Sequence, residues 1–376
     1  MKPHPIHLIL GSLLAGMIGT LSASETWQPS ATNQPGRQFP KVDADGRVRA
    51  RVEAPGATSV QLDIGAVKYP LAKGEDGVWI GESEPQDEGF HYYQLVIDGA
   101  QVPDPGSLYF YGAGRWGSGV EVPAKDRDFY ALKDVPHGDL RETHYRSKTS
   151  KSDRRIFVYT PPQYDSEPQR RFPVLYLQHG MGENETGWGN QGHAGLIMDN
   201  LIAAGKAEPF LIVMENGLDT GNAEVPESGP DGRRRFDFRI FERILVDDLI
   251  PFIDSRYRTL PDQPHRAMAG LSMGGMQTRT IAPAHLDLFS AIGVFSGGSI
   301  KPGDIKDLDA FKKQVRLVFF SFGGREQPGA ANAKADAEAL KESGLNSHYY
   351  ESPETGHEWQ SWRRSLHQFA QLLFRD

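Results

Sequence analysis

The chain of 376 residues contains no cysteine. That absence excludes disulfides, thiolate metal sites, a cysteine nucleophile and any lipid anchor attached through cysteine. Long apolar runs are also scarce. Apart from Leu8 to Leu21, no stretch approaches the roughly 20 apolar residues that a membrane span requires, so membrane insertion is not expected. Positive charge is in deficit, with 41 Lys and Arg against 49 Asp and Glu and a formal charge of -8. A nucleic acid or an anionic membrane surface would want a basic face, and the dense basic cluster Arg233, Arg234 and Arg235 reads as a solvated loop. What remains is an ordinary loop-rich globular composition: 38% hydrophobic, 24% charged, with 41 Gly and 26 Pro.

The amino-terminal residues predict a secretory leader over 1-24. Lys2 gives a weak positive start, the run Leu8 to Leu21 follows, and the small residues Ser22, Ala23 and Ser24 offer a cleavage site. Export to the periplasm or the medium is the expected location.

Two grammars follow. Between residues 25 and 125, Val48, Ala50 and Val52 alternate with Arg47, Arg49 and Arg51, and further strand-like pieces recur at Ser59 to Ile64, Val78 to Gly81 and His91 to Ile97. Turn signals such as Asp76-Gly77 and Asp98-Gly99 separate them, which predicts a small immunoglobulin-like β-sandwich. Ala124 to Asp139 reads as a charged linker. From there to Asp376, strands alternate with helices: Val174 to Gln178, Phe210 to Met214, Ala291 to Phe295 and Arg316 to Phe322 as strands, Gly195 to Ala204, Phe241 to Tyr257, Ala331 to Ser343 and Trp359 to Phe374 as helices. Such alternation specifies an α/β fold with a doubly wound, mostly parallel sheet over 126-376.

Gly270-Leu271-Ser272-Met273-Gly274 matches a nucleophile elbow, in which a serine sits on a sharp turn between strand and helix. The same pattern predicts the α/β-hydrolase fold. A serine hydroxyl needs a base to take its proton. Four of the twelve histidines follow it, at 285, 348, 357 and 367, and only His357 lies in a loop after the last strand, where it can reach over the carboxyl edge of the sheet. An acid must hold that imidazole in one tautomer. Glu326, in the turn after the strand Arg316 to Phe322, is the candidate, with Asp336 as the rival inside a helix. Backbone amides of Met273 and Met181 are the expected oxyanion donors, Met181 lying in the glycine-rich loop after Val174 to Gln178. Trp188 and Trp359 are candidate substrate-pocket walls or, equally, core packing residues. The Pro103 to Gly119 segment is expected to wall the cleft, while most sandwich aromatics, Tyr92 among them, read as core or hairpin residues. This chemistry calls for no metal and no organic cofactor.

Tyr176 to Gly182, Asp248-Leu-Ile-Pro-Phe-Ile-Asp254 with Tyr257-Arg258, Gly270 to Gly275 and Gly356-His357-Glu358-Trp359 together resemble the esterase D group, carbohydrate esterase family 1, which includes feruloyl esterases, acetylxylan esterases and mycolyltransferases. The amino-terminal sandwich resembles the glycogen-binding-type (family 48) module that precedes the catalytic domain in feruloyl esterases of gut bacteria. The resemblance implies a serine carboxylesterase acting on feruloylated or acetylated hemicellulose fragments or small aromatic esters. It leaves acetylxylan, a siderophore trilactone, acyl transfer to a sugar, and an inert glycan-binding protein as alternatives. Many relatives carry aspartate where this chain offers Glu326.

Overall fold

The computed structural model describes residues 27-221 and 237-375. The expected leader and the Arg233 to Arg235 cluster lie outside the described residues.

Residues 28-122 form two antiparallel sheets. One contains Val48–Glu53 and Val78–Glu82, and the other contains Val60–Ile64, Gly89–Ile97, Tyr109–Gly112 and Arg115–Val122. The inward residues of the alternating pattern, Val48, Ala50, Leu62, Trp79, Leu95 and Val120, close a core between the sheets. Phe90 and Phe110 instead point out of the sandwich and join the core of the following layer.

That layer is an eight-stranded sheet: β1 (Asp139–Ser147), β2 (Ser152–Thr160), β3 (Val174–Gln178), β4 (Leu211–Glu215), β5 (Arg266–Leu271), β6 (Ala291–Phe295), β7 (Leu317–Gly323) and β8 (Ser347–Ser352). Their spatial order is β1-β2-β4-β3-β5-β6-β7-β8. The pairs β1/β2 and β2/β4 are antiparallel and every later pair is parallel. Each central strand feeds two cores at once. Val174 and Tyr176 of β3 face one, and Leu175 and Leu177 face the other. Burial on both faces is why these strands read as unbroken apolar runs.

Helices cover both faces. On one side lie α1 (Ala194–Ala203) and α4 (Trp359–Ala370), through Ile197, Met198, Trp362 and Leu366. On the other lie α2 (Met273–Ile281) and α3 (Gly329–Glu342), through Ile281, Ala333 and Leu340, together with the helical stretch before β5. That last stretch departs from the single helix expected. It runs as Arg239–Arg243, a π-helical turn over Ile244–Leu249, and Ile250–Arg256. Pro251 has no N–H to offer the preceding turn, and the ladder widens just ahead of it.

The expected linker Ala124 to Asp139 is not a free tether. A 3-10 turn over Arg127–Tyr130 buries Tyr130, and Asn200 of α1 donates to the carbonyls of Phe129 and Ala131. Asp126 accepts from the Arg364 guanidinium at 2.7 and 2.9 Å, so one of the charges that suggested a linker is the partner of a helix.

Candidate active site

β5 ends in Gly270-Leu271 and α2 begins at Met273, so Ser272 occupies the bend, with φ of +50°. A side chain so placed is exposed at the carboxyl edge of the sheet, and the strained backbone is held by the Ser272 amide donating to Phe295 O at 2.7 Å. The two flanking glycines are steric necessities. A Cβ on Gly270 would stand 2.5 Å from the Gly274 carbonyl carbon, and one on Gly274 would stand 2.6 Å from His179 O.

His357 arrives from the loop between β8 and α4. Its Nε2 lies 2.8 Å from Ser272 Oγ, and its Nδ1 lies 2.6 Å from Glu326 Oε1. The structure thus brings Ser272, His357 and Glu326 together in one hydrogen-bonded line. The rival Asp336 is elsewhere, accepting from Ser299 Oγ at 2.5 Å. Glu326 is fixed by its second oxygen, which accepts from Ser296 Oγ and from the Gly323 amide, each at 2.7 Å. Burial opposes ionisation of this carboxyl, but the hydrogen bonds from His357, Ser296 and Gly323 outweigh it and hold the group below the usual glutamate range. It therefore stays anionic beside the imidazole. Trp362 adds a steric brace: its ring stands edge-on to His357 at 5.1 Å, and its Nε1 donates to Ser296 Oγ at 3.1 Å.

The loop after β3 packs against the serine. A Cβ on Gly180 would lie 3.5 Å from Ser272 Cβ. Within the turn Gly180 to Glu183, the Gly180 amide donates to Glu183 Oε2 at 3.2 Å and the Glu183 amide to Gly180 O at 3.3 Å. Met181, in the same turn, is half exposed, whereas Met273 is buried as the first residue of α2, where backbone N–H groups have no partner within the helix. Burial pushes the Glu183 carboxyl up to about 7 against the lowering influence of the Gly180 amide and the Tyr92 hydroxyl. His179 anchors the turn from below. Its Nε2 accepts from the Gly217 amide at 3.1 Å, which leaves Nδ1 to donate to Gly180 O at 2.7 Å.

Of the two readings open for Trp188 and Trp359, the structure shows core packing and not a pocket wall. They are 1% and 2% exposed and cross edge to face at 5.5 Å. Their N–H groups are spent internally, Trp188 on Gln178 O and Trp359 on Tyr92 Oη. Both are core residues behind the site, because large indoles flanking a glycine loop fill the volume those glycines leave. The segment Pro103 to Gly119, expected as a loop, is largely a hairpin, and the Gly114 amide at its tip donates to Gly182 O at 2.8 Å. Asn184 and Thr186, in the loop that follows, are buried and bonded to each other.

Ser296, Trp362, Tyr92 and Glu183 were not singled out as site residues from the sequence. Ser296 and Trp362 had a faint signal, since the first directly follows the apolar run Ala291 to Phe295 and precedes Gly297-Gly298, and the second lies five residues beyond His357. Tyr92 and Glu183 are 91 positions apart and had none.

The Esterase family profile matches residues 147-372. An endo-1,4-beta-xylanase/feruloyl esterase of Xylanibacter ruminicola is 44% identical over 359 residues, which is 93% of this chain and 48% of that protein. Endo-1,4-beta-xylanase Y of Acetivibrio thermocellus is 28% identical over 42% of this chain and 14% of its own. The chain thus spans about half or less of the length of these curated relatives. Among solved structures, a ferulic acid esterase of Anaeromyces mucronatus in complex with ferulic acid aligns with a TM-score of 0.55 at 22% identity, over 67% of this chain and 96% of that one. An enterochelin esterase of Shigella flexneri aligns with a TM-score of 0.60 at 15% identity, over 93% and 95%. These likenesses establish an α/β-hydrolase-type fold.

Proposed function

Since the chain belongs to the Esterase family, with residues 147-372 matching it, we propose that it is a serine carboxylic ester hydrolase releasing hydroxycinnamic acids of the ferulate type from plant cell-wall polysaccharide or oligosaccharide esters. The observation that carries this reading is the line from Ser272 Oγ through His357 to Glu326, at 2.8 and 2.6 Å, built on a strand-to-helix bend. Ser272 attacks the ester carbonyl as His357 Nε2 takes its proton. The tetrahedral oxyanion is held by the amides of Met273 and Met181, and Glu326 stabilises the imidazolium. His357 then protonates the departing sugar hydroxyl, and water, activated by the same base, releases the acid from the acyl-enzyme. No step requires a metal or organic cofactor.

The acyl group is inferred from the relative of Xylanibacter ruminicola, whose similarity runs through the sandwich as well as the hydrolase layer. We take the sandwich as a family 48-like module and the enzyme as an exported one, working in the periplasm or outside the cell on hemicellulose fragments. Among the described residues no helix is long and apolar enough to cross a membrane. Methyl ferulate, acetylated xylan and a catecholate trilactone, assayed side by side on the purified protein, test the reading. Preferred release of ferulate is expected; faster release of acetate or of the catecholate acid would reassign the substrate.

A further inference from the structure

The sandwich does more than sit beside the hydrolase layer. Tyr92, on the strand Gly89–Ile97, sends its phenol across the interface, where Oη lies 2.6 Å from Gln191 Nε2, 3.2 Å from Trp359 Nε1 and 3.3 Å from both Glu183 Oε1 and Tyr111 O. Donor counting orients this cluster. Gln191 Nε2 and Trp359 Nε1 can only donate, so they fill the two lone pairs of the phenol oxygen. Its single hydrogen is left for Glu183 or for the Tyr111 carbonyl, both at 3.3 Å, and a carboxylate oxygen is the stronger acceptor of the two. The phenol therefore donates to Glu183, whose other oxygen accepts the Gly180 amide at 3.2 Å. A hairpin tip of the same sheet reaches the same turn, through the Gly114 amide and Gly182 O at 2.8 Å. A third contact, Arg325 to Asp87 at 2.7 and 2.8 Å, ties the sandwich to the turn carrying Glu326.

We propose that Tyr92 is a positioning residue for the esterase centre: acting through Glu183, it holds the turn Gly180 to Glu183 so that the Met181 amide stands ready for the oxyanion. The inference rests on the reading of Ser272 as nucleophile. It gives the sandwich a role in the chemical step itself, separate from any contact it makes with a polysaccharide. An amide displaced by a fraction of an ångström weakens the transition state and hardly affects binding of the ground-state ester, so the loss belongs in kcat.

The test uses the full chain with methyl ferulate, a substrate too small to need a glycan surface. Tyr92→Phe and Glu183→Ala should each lower kcat by about 10- to 100-fold with KM within about two-fold of the parent. Glu183→Gln, which keeps an acceptor for the Gly180 amide, should recover most of the kcat lost in Glu183→Ala. Parental kcat in Tyr92→Phe and Glu183→Ala would overturn the proposal. So would equal losses in Glu183→Gln and Glu183→Ala, which would mark a packing defect, and this pair decides the matter should Tyr92→Phe fail to fold. Ser272→Ala, run alongside, separates the two levels: an inactive Ser272→Ala with an unimpaired Tyr92→Phe sinks only the positioning role, whereas an active Ser272→Ala sinks the hydrolase reading and this inference with it.

Discussion

At the scale of single residues, the decisive feature is how little freedom His357 has. Glu326 accepts a hydrogen bond from Nδ1 at 2.6 Å, Ser272 lies 2.8 Å from Nε2, and Trp362 closes one side edge-on. Glu326 is in turn held by Ser296 and the Gly323 amide, so the imidazole is fixed in the tautomer that leaves Nε2 free to accept a proton. Glu326→Gln keeps the shape but presents an amide that can donate to Nδ1 and reverse the tautomer. It should lower kcat on the order of 10³- to 10⁴-fold with KM little changed, measured by steady-state hydrolysis of methyl ferulate. A loss under ten-fold would remove Glu326 from the acid's role. That Ser272, His357 and Glu326 meet was legible in the sequence because each sits next to a recognisable turn at the end of a strand. Trp188 and Trp359 stayed open between pocket wall and core because adjacency in sequence to the Gly180 to Glu183 turn and to His357 does not say which way an indole points. Tyr92 and Glu183 were illegible because their meeting is a product of domain docking.

At the scale of elements, the site depends on a strand and a helix meeting with no room for a side chain between them. Gly274 packs against the carbonyls of Gln178 and His179, with a built Cβ 2.7 and 2.6 Å from their oxygens. Those atoms are backbone at the carboxyl end of a central strand, which the sheet holds in place. Gly274→Ala should therefore destabilise the protein by about 1-3 kcal/mol or more and displace Ser272. Urea unfolding and ferulate release check both; a variant with parental stability and activity would show that the bend is looser than its contacts indicate. Strand existence was legible wherever burial is two-sided, as in Val174–Gln178 and Ala291–Phe295, whose bounds match the apolar runs. Asp139–Ser147 was missed. It is an edge strand with most residues at least partly exposed, so its sequence carries no apolar alternation to read. The segment before it failed for a related reason: Asp126 and Tyr130 look solvated until Arg364 and Arg363 of α4 are seen to be their neighbours.

At the scale of the whole molecule, sandwich and hydrolase layers share a core and a set of buried charges. Phe90 and Phe110 pack with α1 and α4 residues, and Arg363, fully buried, donates to Glu121 of the sandwich at 2.6 and 3.0 Å. Burial opposes the Glu121 charge, yet the Arg363 guanidinium outweighs it and keeps the carboxyl ionised. Breaking such a pair strands a buried charge, which makes separation of the two layers costly. The reactive line consequently exists only when segments around residues 272, 326 and 357 are assembled by the complete fold. Treatment with a fluorophosphonate, followed by peptide mass mapping, tests this most directly. The account predicts one adduct per chain, on Ser272, formed by the folded protein and lost on unfolding or in His357→Ala. An adduct on another side chain, or full ester hydrolysis by protein that takes up no label, would contradict it.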